Sequence, residues 1–271
     1  MTVVTSWSID RAAARLGHAA RTRVACDPVR DLIGSNDVRA AYAVQARLNA
    51  ERQAAGGVIT GRKIGLTSAA VQAQLGVDQP DFGVLFDDMA VAERGSVPVT
   101  RFIAPRVEAE IAFVLGEDLA DGAFDPSRIR TAVDHAVAAI EICDSRVADW
   151  DISIGDTVAD NASAGAYVLG TQRRTLAEFE PADVHMTMRV DGVEVSSCTG
   201  AACLGGPLVA LAWLARQAYE LGDPLRAGQV VLSGALGPMR PVTPGAVVTA
   251  DISELGSVTV TFSDDDEGSS S

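Results

Sequence analysis

The sequence predicts an α+β fold in which a helical N-terminal arm precedes a β-rich core, and three observations carry that expectation. The first 55 residues are rich in alanine and arginine and are punctuated like helices. From Val58 the texture changes to short β-like runs broken by turns. The later helices are too few to alternate with strands as βαβ units would, so the core is expected to be antiparallel or mixed. The arm is placed at 1–57, the core at 58–262 and a disordered acidic tail, SDDDEGSSS, at 263–271.

Each element has a local reason. Ile9 to Arg23 reads as a helix, and Ser35/Asn36 can cap a second, DVRAAYAVQARLNAERQAAG, that stops at Gly56-Gly57. VITGRKIGL, DFGVLFDDMAV and RVEAEIAFVLG read as strands. Asp125-Pro126 is a helix start, and SRIRTAVDHAVAAIEI is expected to stay helical until a strand takes over around Ala139 to Cys143. AYVLG reads as a strand, and MTMRVDGVEVSS as a hairpin turning at Asp191-Gly192. PLVALAWLARQAYE, Pro207 to Glu220, reads as the last helix, and GQVVLSG and VVTADISELGSVTVTF return to strands. There is no internal repeat.

Composition narrows the function. The 271 residues are 48% hydrophobic and 21% charged, ordinary globular usage, with no apolar run of membrane-spanning length. A net charge of −14 argues against a nucleic-acid binder, which needs a basic surface. Four scattered cysteines and an N-terminus without an apolar signal core point to a reduced, cytoplasmic protein. Of 22 basic residues only Lys63 is lysine, so Lys63 is a candidate for a task arginine cannot perform.

The candidate chemistry is acidic. Glu108 and Glu110 lie two apart in a strand-like run, which puts both side chains on one face with Cα atoms about 6.5 Å apart. A solvated strand face is the commoner explanation of such a pair, but the flanking residues here are largely apolar. Glu141 sits in the apolar run AAIEI, where a carboxylate without a partner would be costly. Three such acids want a counter-charge or a metal, and oxygen-only ligands favour Mg²⁺ or Mn²⁺ over zinc. Lys63 is flanked by glycines in GRKIGLTS, and Asp81 opens a turn-to-strand segment in QPDFGVLF. DTVADNASAG reads as a loop of small polar residues in which Asn161 or Ser163 could bind a small oxyacid, with turn-making as the plain alternative. His18, His135 and His185 are expected to be structural or surface residues, and TGAACLGGPL fits no nucleotide-binding pattern.

In order and spacing, GRKIGLTS, PDFGVLFDDM, RVEAEIAFVLG, AIEICDSR, ADWDISIGDTVADNASAG, TGAACLGGP and LSGALGPM resemble the 2-keto-4-pentenoate hydratase branch of the fumarylacetoacetate hydrolase superfamily. The resemblance covers about residues 10–262. It implies a mixed β-roll or barrel core, a divalent metal (Mg²⁺ or Mn²⁺) held by Glu108, Glu110 and Glu141, and a homo-oligomer. It also implies that Lys63 and Asp81 stand at the reacting substrate.

The implied reaction is hydration of 2-hydroxypenta-2,4-dienoate, or a longer-tailed relative, to a 4-hydroxy-2-oxo acid in aromatic or sterol breakdown. In that chemistry a lysine beside a dication and away from bulk water should have a lowered pKa. Decarboxylation of a 4-oxalocrotonate-type acid is the nearest alternative, because it proceeds through the same enolate. Hydrolysis of an acylpyruvate ranks third, since no His–Glu pair is evident, and a non-catalytic partner subunit of another pathway enzyme is a fourth. Gly205-Gly206 and Arg240 depart from the pattern and are expected either to alter the substrate-tail pocket or to be surface drift.

Overall fold

The computed structural model describes residues 5–68, 72 and 79–264. The arm contains α1 (Ser6–Thr22), the short α2 (Arg30–Ile33) and α3 (Val38–Ala54). Thr5 caps α1 by accepting from the Ser8 amide. Asp37 caps α3 by accepting from the Ala40 amide, so the cap lies one residue beyond the expected Ser35/Asn36 pair.

Among the described residues the core is two sheets. The larger has eight strands. Along it run β2 (Asp81–Phe86), β1 (Ile59–Gly65), β10 (Val230–Leu232), β5 (Arg106–Leu115), β6 (Val133–Cys143), β7 (Ala164–Leu169) and β3 (Ala90–Val91), with β11 (Arg240–Pro241) added beside β5. The smaller sheet runs β4 (Ser96–Pro98), β13 (Gly256–Ser263), β12 (Val247–Ile252), β8 (His185–Val190) and β9 (Val193–Thr199). The β1/β10, β3/β7 and β4/β13 pairs are parallel and the rest antiparallel, so the core is mixed as expected. Among the described residues no helix is long and apolar enough to cross a membrane.

Period-two alternation gives the large sheet two different faces. One face of β5 and β6 (Val107, Ala109, Ile111, Phe113; Ala136, Ala138, Ile140, Ile142) packs into the main core with Val248, Val258 and Phe262 of the smaller sheet. Leu211 and Leu214 of α6 (Pro207–Glu220) join that core. The other face carries a separate apolar cluster of Leu85, Ala112, Val137, Ala139, Tyr167 and Leu232, and on it Glu108 pairs directly with Glu141 across the β5/β6 ladder.

Three elements differ from the sequence expectation. Only α4 (Pro126–Ala132) is helical in SRIRTAVDHAVAAIEI, and β6 begins at Val133. A long antiparallel ladder to β5 overrides the helical preference of the alanines, and burial of both faces hides the alternation. DTVADNASAG is not a loop throughout, because α5 (Ile154–Ala159) takes its first half. The expected tail begins later than Ser263, which ends β13, and from residue 265 it lies outside the described residues.

One carboxylate joins arm to core. Asp156 of α5 is fully buried and accepts from the Val29 and Arg30 amides, at 2.8 and 2.9 Å, and from the Ser153 amide and hydroxyl. Arg30 adds an ion pair at 3.2 Å. Around this hub Leu16, Ile33, Val44, Ile154 and Val158 form one apolar cluster. Asp156→Ala is therefore expected to lower the unfolding free energy by about 3 kcal/mol, read as a reduced urea midpoint; an unchanged midpoint would contradict the hub.

Candidate functional site

The polar face of the large sheet gathers five of the seven predicted residues. Lys63 is on β1, Asp81 opens β2, Glu108 and Glu110 are on β5 and Glu141 is on β6. All are buried, Glu110 and Glu141 completely. The Lys63 ammonium is 3.0 Å from Glu141 Oε1 and donates to the Ala162 carbonyl at 2.9 Å. Asp81 Oδ2 accepts from the Thr157 hydroxyl at 3.2 Å, and its Oδ1 has no hydrogen-bond partner. Glu110 Oε2 accepts from the Gly234 amide at 2.7 Å, leaving Oε1 unpartnered.

Gly65 leaves room for the Asp81 carboxylate beside Lys63. A Cβ on Gly65 would stand 2.3 Å from Asp81 Oδ1 and 3.4 Å from Lys63 Nζ, so a side chain here would displace the carboxylate. Asn161, Ala162 and Ser163 all have positive φ, at 55°, 51° and 53°, a left-handed turn that non-glycine residues adopt only when their surroundings impose it. The turn aims the Ala162 carbonyl at Lys63. Its restraint is Arg146, which pairs with Asp160 at 2.5 Å and also reaches the Asp160, Asp144 and Ala164 carbonyls. Asp144 in turn accepts from the Ile103 and Ala104 amides.

The two proposed substrate contacts differ in position. Asn161 uses both ends of its amide on one backbone unit: Oδ1 accepts from the Val84 amide at 2.8 Å, and Nδ2 donates to the Val84 carbonyl at 2.9 Å. With Tyr42 on the Phe82 amide and Gln45 on the Phe82 carbonyl, it closes the free edge of β2, the strand that Asp81 opens. The Ser163 hydroxyl is buried and unpartnered, so it remains available. Arg240 donates to the Val195 carbonyl and ties β11 to β9. Gly205 has positive φ and open space around it, and Gly206 precedes α6.

Burial and mutual repulsion set the protonation pattern. Burial pushes the Glu108 carboxyl up to about 7, with Glu141 adding to the rise and Lys63 opposing it. Glu110 rises well above the usual range for the same reasons. For Lys63, burial pulls the ammonium down, but Glu141, Cys143, Asp81 and Glu108 outweigh it and hold it well above its ordinary value. The protein's own groups therefore give the opposite direction from the lowered value expected of a lysine beside a dication.

This set of groups fits a small dication. Donor atoms of Glu108, Glu141 and Cys143 all lie within 4.8 Å of one another, and buried oxygens of Glu110 and Glu141 lack hydrogen-bond partners. Sequence reasoning missed Cys143, although it stands two residues after Glu141 and so shares its face by the same period that flagged Glu108 and Glu110. It also missed Thr157 and the Gly234 amide, which no local pattern marks.

Comparison with known proteins agrees with this architecture. The model of the fumarylacetoacetate (FAA) hydrolase C-terminal family matches residues 58–263. The chain belongs to the fumarylacetoacetate hydrolase family. Among its relatives is the TodF product hydratase of Pseudomonas putida, 52% identical over 94% of this chain and 95% of that protein. A 2-keto-4-pentenoate hydratase of Burkholderia vietnamiensis is 49% identical over 95% of this chain and 98% of its own length. The solved 4-oxalocrotonate decarboxylase of Pseudomonas putida G7, complexed with magnesium and adipate, is 30% identical with a TM-score of 0.92, covering 97% of this chain and all of that one.

The raised carboxyls give a pH signature. Glu108, near 4.3 when unfolded and about 7 when folded, binds more proton in the folded state between those values, so stability falls as pH rises through that window. Chelator-treated protein is expected to lose up to about 1.4 kcal/mol per pH unit for each such carboxyl, and Glu108→Gln to flatten the slope. Urea titrations from pH 5 to 7.5 measure it; stability rising over this range would contradict the assignment.

Proposed function

We propose that the protein is a divalent-metal-dependent hydratase that converts 2-hydroxypenta-2,4-dienoate, or a longer-tailed 2-hydroxydienoate, to the 4-hydroxy-2-oxo acid. The observation that carries this reading is the buried Lys63–Glu141 pair, flanked by an unpartnered Asp81 oxygen and the carboxylates of Glu108 and Glu110. Relatives named hydratases at about half identity over nearly the whole chain support it.

Glu108, Glu110 and Glu141 would hold the Mg²⁺ or Mn²⁺. When bound, the ion supplies Lewis-acid stabilisation of negative charge developing on the substrate's C2 oxygen. The Lys63 ammonium, out of bulk water and oriented by the Ala162 carbonyl, is the proton donor to C5 as the enol proton is lost, giving the α,β-unsaturated ketone. Asp81, fixed at Oδ2 by Thr157, offers Oδ1 to the water that adds at C4 while C3 takes a proton. The Ser163 hydroxyl, buried and without a partner, would bind the oxyacid end. In this reading Asn161 acts through β2 rather than by touching substrate.

The reading extends to a cytoplasmic homo-oligomer in aromatic or sterol catabolism, in which association with another enzyme of the pathway is also proposed. The four free thiols support the compartment.

A second reading, decarboxylation of a 4-oxalocrotonate-type acid, is favoured by the likeness to the solved decarboxylase. A stopped-flow absorbance assay with both substrates, with and without Mg²⁺ or Mn²⁺, separates the two. Metal-dependent loss of the dienoate with formation of 4-hydroxy-2-oxopentanoate is expected; release of carbon dioxide from the dioate alone would support the second reading and contradict the first. Lys63→Arg is expected to keep the fold and metal binding and to lose about 10²-fold or more in turnover, because guanidinium does not give up its proton. Near wild-type turnover would remove Lys63 from its role.

A further inference from the structure

We propose that Cys143 belongs to the metal cage itself: it adds a thiolate to the carboxylates of Glu108, Glu110 and Glu141, so the site takes thiophilic dications such as Co²⁺ and Zn²⁺ as well as Mg²⁺ and Mn²⁺. The inference rests on the metal reading above and adds a donor of a different chemical class to it.

Strand geometry puts the thiol there. Cys143 follows Glu141 by two residues on β6, so both side chains emerge from the same face. The β5/β6 register pairs Glu108 with Glu141 and Arg106 with Cys143, which sets the thiol diagonal to Glu108. Its Sγ is 3.7 Å from Glu108 Oε2, and the residue is 3% exposed. Donor atoms of Glu108, Glu141 and Cys143 lie within 4.8 Å of one another.

A second observation points to a ligand in the same space. Both oxygens of fully buried Glu141 lack a hydrogen-bond partner, although the Lys63 ammonium is 3.0 Å from one of them. A carboxylate so placed keeps lone pairs for an ion or for a water bound to one. The Cys143 thiol donates to Glu108 Oε2, a contact that coordination would replace, whereas the other deeply buried thiol, Cys203, donates to the Ser233 carbonyl at 3.0 Å.

Sulfur changes which ions the cage holds. An all-oxygen set favours hard Mg²⁺ and Mn²⁺, whereas a thiolate raises affinity for Co²⁺ and Zn²⁺ much more than for Mg²⁺. On coordination the S–H bond breaks, a sulfur–metal bond forms and the proton passes to solvent.

Titrating chelator-treated, full-length protein with Co²⁺ tests the assignment through the near-ultraviolet sulfur-to-cobalt charge-transfer absorption. The wild type and Cys198→Ser are expected to show the band at one equivalent, and Cys143→Ser to lack it. Zn²⁺ affinity, from competition with a chromophoric chelator, should fall about 10-fold or more in Cys143→Ser. Mn²⁺ affinity, from the electron paramagnetic resonance of free Mn²⁺, should change by less than about 3-fold. Co²⁺ bound to the wild type without the band overturns the role of Cys143 whether or not the variant folds, and leaves the carboxylate site standing. Failure of the wild type to bind any of these dications overturns the metal site and the thiol's place in it together.

Discussion

A single buried ion pair, Lys63 with Glu141 at 3.0 Å, is the interaction on which the site turns. Four acids, Asp81, Glu108, Glu110 and Glu141, are enclosed with one ammonium. Burying a charge is costly unless it is paired, and here the lysine offsets only part of the negative charge. The remainder appears as carboxyls pushed upward and oxygens left without partners. Such a cluster is a poor device for stability and a suitable one for holding a cation and moving protons.

The surrounding fold supports this imbalance with rigid elements. Two faces of one curled sheet separate the tasks: one packs against the smaller sheet and α6, and the other carries the charges above an apolar floor. The left-handed turn at 161–163 is a local strain that Arg146 and Asp160 hold from behind. The arm contributes through α5, whose Thr157 fixes Asp81 and whose Asp156 accepts from the arm's backbone. The edge of β2 is closed by Tyr42, Gln45 and Asn161, so the strand that begins at Asp81 is held from both sides.

Much of this was legible in the sequence because it follows from short-range periodicity. The two-residue spacing of Glu108 and Glu110, the Asp191-Gly192 hairpin and the bounds of α6 at Pro207 and Glu220 are local properties, and the structure has all three. The start of β6 was not legible, since alanines that favour a helix are held in a strand by partners on both sides. Nor was the position of Asn161 on Val84, because which strand edge needs closing depends on topology rather than on neighbours in the chain. The direction of the Lys63 shift depends on three carboxyls, Glu141, Asp81 and Glu108, and the Cys143 thiol, from three other strands, and no sequence window contains them together.

The central claim is that the polar face of the large sheet is a cation site with Lys63 and Asp81 beside it. An anomalous-difference map from crystals grown with Mn²⁺ and a 2-oxo acid tests that claim most directly. The account predicts one strong peak among Glu108, Glu110 and Glu141, with the acid's carboxylate and keto oxygens facing the peak and its chain running between Lys63 and Asp81. A peak elsewhere, or an acid bound away from these side chains, would contradict it.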